Sequence, residues 1–243
     1  MENMKIGIFD SGIGGLTVLE AIREVLPNEE YYYYADSLNN PYGDRSTVEL
    51  YKITTEIVEH LIKHNCRIIV IACNTATTKC ISYLREKYKD IIFIGTEPAI
   101  KVACDKNYKN ILLLATPLTI NSERTHVLIE KSKKEDENIY LSPSSGLAHA
   151  IETNNTILEE EIIKSIYLEY KDKNIDAIVL GCTHYPIISD LINKYFKGAV
   201  LLDGRSGVAR IVYKKITENN LRSTNKKGKV EVYNSLNKTT IIK

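Results

Sequence analysis

Alternating strands and helices predict an α/β protein of doubly wound parallel sheets arranged in two related halves. Three observations carry that expectation. Two continuous, largely β-branched runs, Ile68–Ile71 and Ala177–Leu180, read as parallel strands buried on both faces. Each run stops at a small residue and then presents a cysteine followed by hydroxyl or amide side chains, Ala72-Cys73-Asn74-Thr75 in one case and Gly181-Cys182-Thr183-His184 in the other. Nearly equal intervals separate Asp10 from Cys73 and Thr116 from Cys182, as expected of a repeated unit.

The elements follow in order along the 243 residues, a length that suits two modest domains. Ile6–Phe9 is a strand, Asp10-Ser11-Gly12-Ile13-Gly14-Gly15 a turn, and Leu16, Leu19, Ile22 and Leu26 mark a helix stopped by Pro27. Tyr31–Ala35 is a strand, residues 38–45 a polar loop, and Leu50, Ile53, Ile57, Leu61 and Ile62 one face of a helix ending near His64. After the first thiol strand, residues 76–88 are helical, 91–94 a strand, and 95–98 a crossing point. The order then restarts with a strand at 111–115, a turn at Thr116-Pro117-Leu118-Thr119 and a helix to about Lys133. Residues 131–138 read as a solvated helix end and loop. A strand near Tyr140, a Ser/Pro/Gly loop at 142–146 and helices on either side of Asn154-Asn155 lead to the second thiol strand. A helix over 206–219 and a polar tail with a hairpin around 235–237 close the chain.

Thirty-two basic and 31 acidic residues give a net charge of +1, which offers no drive toward nucleic acid or an anionic membrane. A small molecule is the expected partner. No apolar stretch approaches a membrane span, and Met1–Lys5 is polar and too short for a secretion signal, so a cytoplasmic protein is expected. The five cysteines (66, 73, 80, 104, 182) fit a reducing compartment with free thiols.

Asp10–Gly15 opens a helix, and its amides suit either an anion or a plain tight turn. It lacks the Lys and Ser/Thr of a P-loop and the glycine spacing of a dinucleotide fingerprint. Pro41-Tyr42-Gly43 reads as an ordinary turn or as a loop closing over a ligand. His184 orients a thiol, binds zinc or caps a helix. Zinc would need further ligands, and no CxxC pair is present, so no metal is expected. His60 and His64, four apart, read as a solvated helix end rather than a metal pair. Cys66, Cys80 and Cys104 read as fillers, Glu97 as a helix cap and Glu152 as solvated.

Taken together, residues 8–17, Pro41-Tyr42-Gly43, residues 72–76, Glu97-Pro98 and Leu180-Gly181-Cys182-Thr183-His184-Tyr185-Pro186 closely resemble the cofactor-independent aspartate/glutamate racemase family, specifically its glutamate racemases. The resemblance runs in order from residue 5 to about 210. It implies two similar domains facing each other across a cleft, 1–97 plus 206–243 and 98–205. It also implies interconversion of L- and D-glutamate by a homodimer, supplying D-glutamate for cell-wall peptidoglycan. By resemblance Cys73 and Cys182 are the acid/base pair, Asp10 assists near Cys73, and His184 with Glu152 near Cys182. Ser11, Tyr42, Gly43, Asn74, Thr75 and Thr183 match substrate-binding positions, joined by Asp10 and His184; Thr116 and Thr119 follow the family more loosely. No pyridoxal lysine or other cofactor is required.

Inverting an α-carbon needs a base on one face and an acid on the other, with roles exchanging in reverse, and two thiols meet that need. A free thiol titrates near ~8.5, so the thiolate requires help from a hydrogen bond, a helix end or a cation. Two stretches depart from the family. Ala35-Asp36-Ser37-Leu38-Asn39-Asn40 stands where Gly-Asp and an Arg are usual, and Ser144–Ala150 replaces apolar residues ahead of Glu152. Only four residues precede Lys5, so the N-terminal extension that serves activation by a cell-wall precursor in some relatives is not expected, nor is that activation. An aspartate or broad amino-acid racemase, a catalytically silent binding protein and a zinc hydrolase using Cys73, Cys182 and His184 are the competing readings.

Overall fold

The computed structural model describes residues 4–224 and 227–242, so most of the Met1–Lys5 segment lies outside the described residues. The chain divides into two compact units, one formed by residues up to Thr96 together with those from Arg205 onward, the other by Glu97–Gly204.

The first unit opens with β1 (Lys5–Asp10), α1 (Leu16–Val25), β2 (Glu30–Ala35), a 3₁₀ turn at Tyr42–Asp44, α2 (Thr47–Lys63), β3 (Cys66–Ile71), α3 (Asn74–Lys87) and β4 (Ile92–Gly95). Every residue of β1 is buried, as the apolar pattern of an inner parallel strand requires. Helix α2 starts at a capping box in which Ser46 and Glu49 satisfy each other's backbone amides, so the loop after β2 ends at a fixed point.

The second unit contains α4 (Ile100–Asp105), β5 (Asn110–Ala115), α5 (Pro117–Ile120), α6 (Glu123–Ser132), β6 (Asn138–Pro143), α7 (Leu147–Glu152), α8 (Thr156–Tyr170), β7 (Ala177–Leu180), α9 (Ser189–Tyr195) and β8 (Val200–Asp203). The chain then returns to the first unit through α10 (Arg205–Glu218), β9 (Val230–Asn234) and β10 (Thr239–Ile242).

The sheets are ordered β10-β9-β2-β1-β3-β4 and β6-β5-β7-β8. Apart from the antiparallel β9–β10 hairpin, every pairing is parallel. Four successive strands therefore have the same spatial order in both units, and the thiol strands β3 and β7 hold equivalent places. Helices α1 and α10 cover one face of the first sheet, α2 and α3 pack against its strands β3 and β4, and the second sheet is covered on both faces. In the first, Ile6, Ile8, Tyr31, Tyr33 and Val70 pack with Val18 and Ile22 of α1 and Val212 and Ile216 of α10. In the second, Leu112, Leu114, Ile178 and Leu180 face one side and Ile111, Leu113 and Val179 the other. Each such side chain, fully buried, contributes about 1.5–3 kcal/mol.

Several expectations change. Residues 131–138 are not simply solvated: Glu137 is buried beneath its contact with Lys134, and β6 begins at Asn138. The turn after Thr116 is the short helix α5, with Thr116 as its cap. Glu97 pairs with Arg124 instead of capping a helix. His60 and His64 are half-buried and stack on each other, on Tyr32 and against Tyr233. Helix α3 begins at Asn74, two residues before its expected start, which places Cys73 at its cap. Cys66, Cys80 and Cys104 are fillers as expected, all three fully buried in the core. The tail adds a parallel strand, β9, beside β2, a pairing absent from its sequence pattern.

Candidate active site

In the first unit, β1 and β3 end side by side. Phe9 pairs with Ile71, and the Ala72 amide donates to the Phe9 carbonyl at 2.9 Å, so Asp10 and Cys73 leave neighbouring strands at the carboxyl edge where open α/β sheets bind ligands. The Asp10 carboxylate is fully buried, and one oxygen, Oδ2, accepts from the amides of Gly12 (3.2 Å) and Gly15 (3.0 Å). The loop's own carboxylate thus occupies two of the amides that an external anion would need. Tyr33, reaching across from β2, donates to the Gly12 carbonyl at 2.7 Å and holds the loop down. Position 15 must be glycine: a Cβ there would stand 2.6 Å from Asp10 Cβ and 2.7 Å from the Tyr33 hydroxyl.

Cys73 caps α3, and its Sγ accepts from the Ala76 amide at 3.5 Å, where the helix dipole favours negative charge. Asn74 and Thr75, which follow it, and Ser11, which follows Asp10, are buried, and Asn74 Oδ1 has no hydrogen-bond partner among the described residues. Tyr42 is buried in the 3₁₀ turn with Gly43, and its hydroxyl donates to Asp36 Oδ2 at 2.6 Å. Burial pushes this phenol well above its ordinary range; the Asp36 carboxylate adds to the effect, followed by Cys73 and Asp10. The same ring therefore feels all three groups.

In the second unit, Leu114 pairs with Leu180, and the Gly181 amide donates to the Leu114 carbonyl at 2.8 Å. The register makes Gly181 the counterpart of Ala72 and Cys182 the counterpart of Cys73. It also matches Thr116 with Ser11, one place along from the Asp10 match that the sequence intervals imply. A Cβ at Gly181 would lie 2.7 Å from Ala115 Cβ, so this strand end admits only glycine.

Cys182 Sγ lies 3.7 Å from His184 Nδ1, and His184 Nε2 lies 2.5 Å from Glu152 Oε2 at the end of α7. Thr183 Oγ1 is 3.4 Å from the same Nδ1. Glu152 is thus held against a buried histidine rather than solvated. A carboxylate that accepts from Nε2 leaves Nδ1 to exchange a proton with the thiol. Tyr185 is buried behind the site and shares a 2.8 Å hydrogen bond with Ser144; burial pushes its phenol well up, and Cys182 adds to the shift. Thr116 caps α5 and donates to Thr119 Oγ1 at 3.0 Å. Among the described residues no group of three or more His, Cys, Asp or Glu side chains is arranged to hold a metal ion.

Sequence reasoning gave no role to Tyr33, Asp36, Ser144 or Tyr185. Asp36 had a usable signal, since it follows the last residue of a buried strand just as Cys73 and Cys182 stand beyond theirs. Tyr33 sits in a run of four tyrosines that alternate between faces, with nothing local to single it out.

The sequence profile described as Asp/Glu/Hydantoin racemase matches residues 16–210. This chain belongs to that racemase family. Racemases are isomerases. Within the family, the chain is 41% identical over 249 residues to a glutamate racemase of Clostridium perfringens, covering 100% of this chain and 95% of the relative. The crystal structure of the glutamate racemase isoform RacE1 from Bacillus anthracis superposes with a TM-score of 0.84 at 27% identity, covering 97% of this chain and 90% of that one. Glutamate racemase from Francisella tularensis, solved in complex with D-glutamate, gives a TM-score of 0.82 at 33% identity, covering 97% and 89%. The α/β architecture with two parallel sheets is thus a racemase-family fold.

Proposed function

We propose that this protein is a glutamate racemase that inverts the α-carbon with two cysteines, Cys73 and Cys182. The observation that carries the reading is the equivalence of the two thiols: each stands two residues beyond the last paired residue of the equivalent strand, and each has its own polar partners. One thiolate removes the α-proton, and the electron pair stays on the substrate as a carboxylate-stabilised carbanion. The other thiol delivers a proton to the opposite face, so one thiol and one thiolate remain with their roles exchanged. Asp10 serves the Cys73 side, and His184 with Glu152 the Cys182 side. Ser11, Tyr42, Gly43, Asn74, Thr75 and Thr183 hold the substrate. The unpaired Asn74 Oδ1 is an acceptor suited to its ammonium group.

The names of the relatives support glutamate as the substrate, and the D-glutamate complex of the Francisella protein supports the class of ligand. The same reading makes segments 1–97 plus 206–243 and 98–205 the two domains of the enzyme. It also carries a cytoplasmic homodimer that supplies D-glutamate for peptidoglycan, on the strength of the family resemblance. Among the described residues no helix is long and apolar enough to cross a membrane.

The test is incubation of purified protein with D- or L-glutamate in deuterated water, following optical rotation and α-deuterium together. Inversion with deuterium uptake is expected. Cys73→Ala and Cys182→Ala should each lower turnover by about 10³-fold or more while retaining the fold. Wild-type turnover in either variant would refute the two-thiol scheme, and exchange on aspartate but not on glutamate would refute the substrate.

A further inference from the structure

The hairpin that extends the first unit's sheet ends beside the candidate site, and we infer that Ser235 in its turn is a positioning residue for the Tyr42–Gly43 loop. This rests on the racemase reading of Tyr42 and Cys73, and it gives the last segment of the chain a part in substrate binding.

The register sets up the contact. Strand β9 runs parallel to β2 with Asn234 opposite Ala35, and the Ser235 amide donates to the Ala35 carbonyl at 3.0 Å. The next residue of β2's connection, Asp36, therefore lies alongside Ser235 at the carboxyl edge of the sheet. Both are buried. The Ser235 hydroxyl donates to Asp36 Oδ1 at 2.9 Å and accepts from the Leu38 amide at 3.0 Å, so its donor and an acceptor site are both used. Asn234 Nδ2 adds a 3.1 Å bond to Ser37 Oγ.

Asp36 passes the constraint on. Its Oδ2 accepts the Tyr42 hydroxyl at 2.6 Å, and Asn39 Nδ2 bridges both oxygens at 3.1 and 3.0 Å. These hydrogen-bond donors are all neutral. A buried carboxylate held by neutral donors depends on each of them, because losing one leaves charge unsolvated. The 3₁₀ turn carrying Tyr42 packs against α3, the helix that Cys73 caps. A chain of contacts within one unit thus runs from the hairpin turn to the thiol.

The experiment compares Ser235→Ala, Ser235→Thr, Tyr42→Phe and Asn234→Ala with wild type. Ser235→Ala is expected to raise KM for glutamate about 3- to 10-fold, with a smaller change in kcat, and Thr is expected to restore it. Tyr42→Phe cuts the same network at its other end, so it should raise KM in the same direction even if Ser235→Ala folds poorly. Asn234→Ala removes the Ser37 contact but leaves the Ser235–Asp36 bond in place, so it should raise KM less than Ser235→Ala does. A second readout needs no substrate: mass-resolved iodoacetamide labelling should be several-fold faster at Cys73 in Ser235→Ala, with Cys182 as the internal control.

Unchanged KM and unchanged Cys73 labelling in Ser235→Ala, whatever happens to Tm, would overturn the inference. So would equal effects from Asn234→Ala. If wild-type protein leaves glutamate unaltered, the proposed activity fails, and the Cys73-to-Cys182 labelling ratio still decides whether Ser235 positions the loop.

Discussion

Cys73 and Cys182 stand at the same place in the same strand order, yet their surroundings differ. In the first unit a carboxylate, Asp10, projects from the adjacent strand end, fixed by backbone amides. In the second, the register puts Ala115 at the place of Asp10, and His184 at the place of Thr75. A carboxylate comes instead from another element, Glu152 on α7, whose Oε2 meets the His184 imidazole. The backbone repeat thus keeps where a thiol is presented, while the titratable side chain nearby differs in type, Asp10 at the neighbouring strand end in one unit and His184 beside the thiol in the other. On the proposed two-thiol reading a base and an acid at one carbon must be in opposite protonation states, and unlike neighbours are one way to set the two thiols apart.

The largest effect that tests this contrast comes from the partners themselves. Asp10→Asn keeps an amide oxygen for the Gly12 and Gly15 amides, so the loop should hold and Tm should stay within a few degrees, while kcat falls by about 10²-fold. His184→Gln should cost a similar factor. Substrate deuterated at the α-carbon separates the two sides: each variant should enlarge the isotope effect for one enantiomer, and the enantiomers should differ. If both variants enlarge the effect for the same enantiomer, the division of partners between the thiols is wrong.

A smaller effect distinguishes the two site thiols from the other three. Burial pushes Cys66 up to about 12 and Cys80 to about 11, and burial with neighbouring Glu137 takes Cys104 to about 12. A thiol near 12 has on the order of 10⁻⁵ of its population as thiolate at pH 7, and alkylation requires thiolate. Those three have no exposed surface, whereas Cys73 and Cys182 retain 6% and 9%. Iodoacetamide at pH 7 should therefore label Cys73 and Cys182 more than tenfold faster than the others. Early labelling at Cys66, Cys80 or Cys104 would mean that the sheets open more readily than their packing implies.

What could be read from the sequence was whatever is encoded locally. The runs before Cys73 and Cys182 announce inner parallel strands because burial on both faces leaves no polar position, and the Gly-rich turn after Phe9 announces a helix start. Glu152 was harder, since its role depends on α7 bringing it to a histidine 32 residues away, and no local pattern reports that. Ser235 was harder still. A short strand in a polar tail gives no sign that it pairs in parallel with β2, and that pairing alone brings its hydroxyl to Asp36. His60 and His64 were misread for the same reason: their spacing marks a helix face, but the tyrosines that bury them come from β2 and β9.

The smallest effect concerns that histidine cluster, which the second unit lacks among its described residues. His60 lies against Tyr32, Tyr34, Tyr233 and His64, and Tyr32's hydroxyl is 2.9 Å from its Nε2. Burial lowers its pKa from 6.5 to about 4, with His64 and Lys63 adding to the shift. Between those values the unfolded segment binds more protons than the folded one, so the stability contributed here is present above pH 6.5 and is lost as pH falls toward 4. Amide exchange, corrected for intrinsic rates, should show β9 and β2 losing protection between pH 7 and pH 5 while β5 and β7 keep theirs. His60→Gln should remove the difference. Loss of protection in both units alike, or persistence of the difference in His60→Gln, would show that the acid response belongs to another group and that the hairpin is held independently of this imidazole.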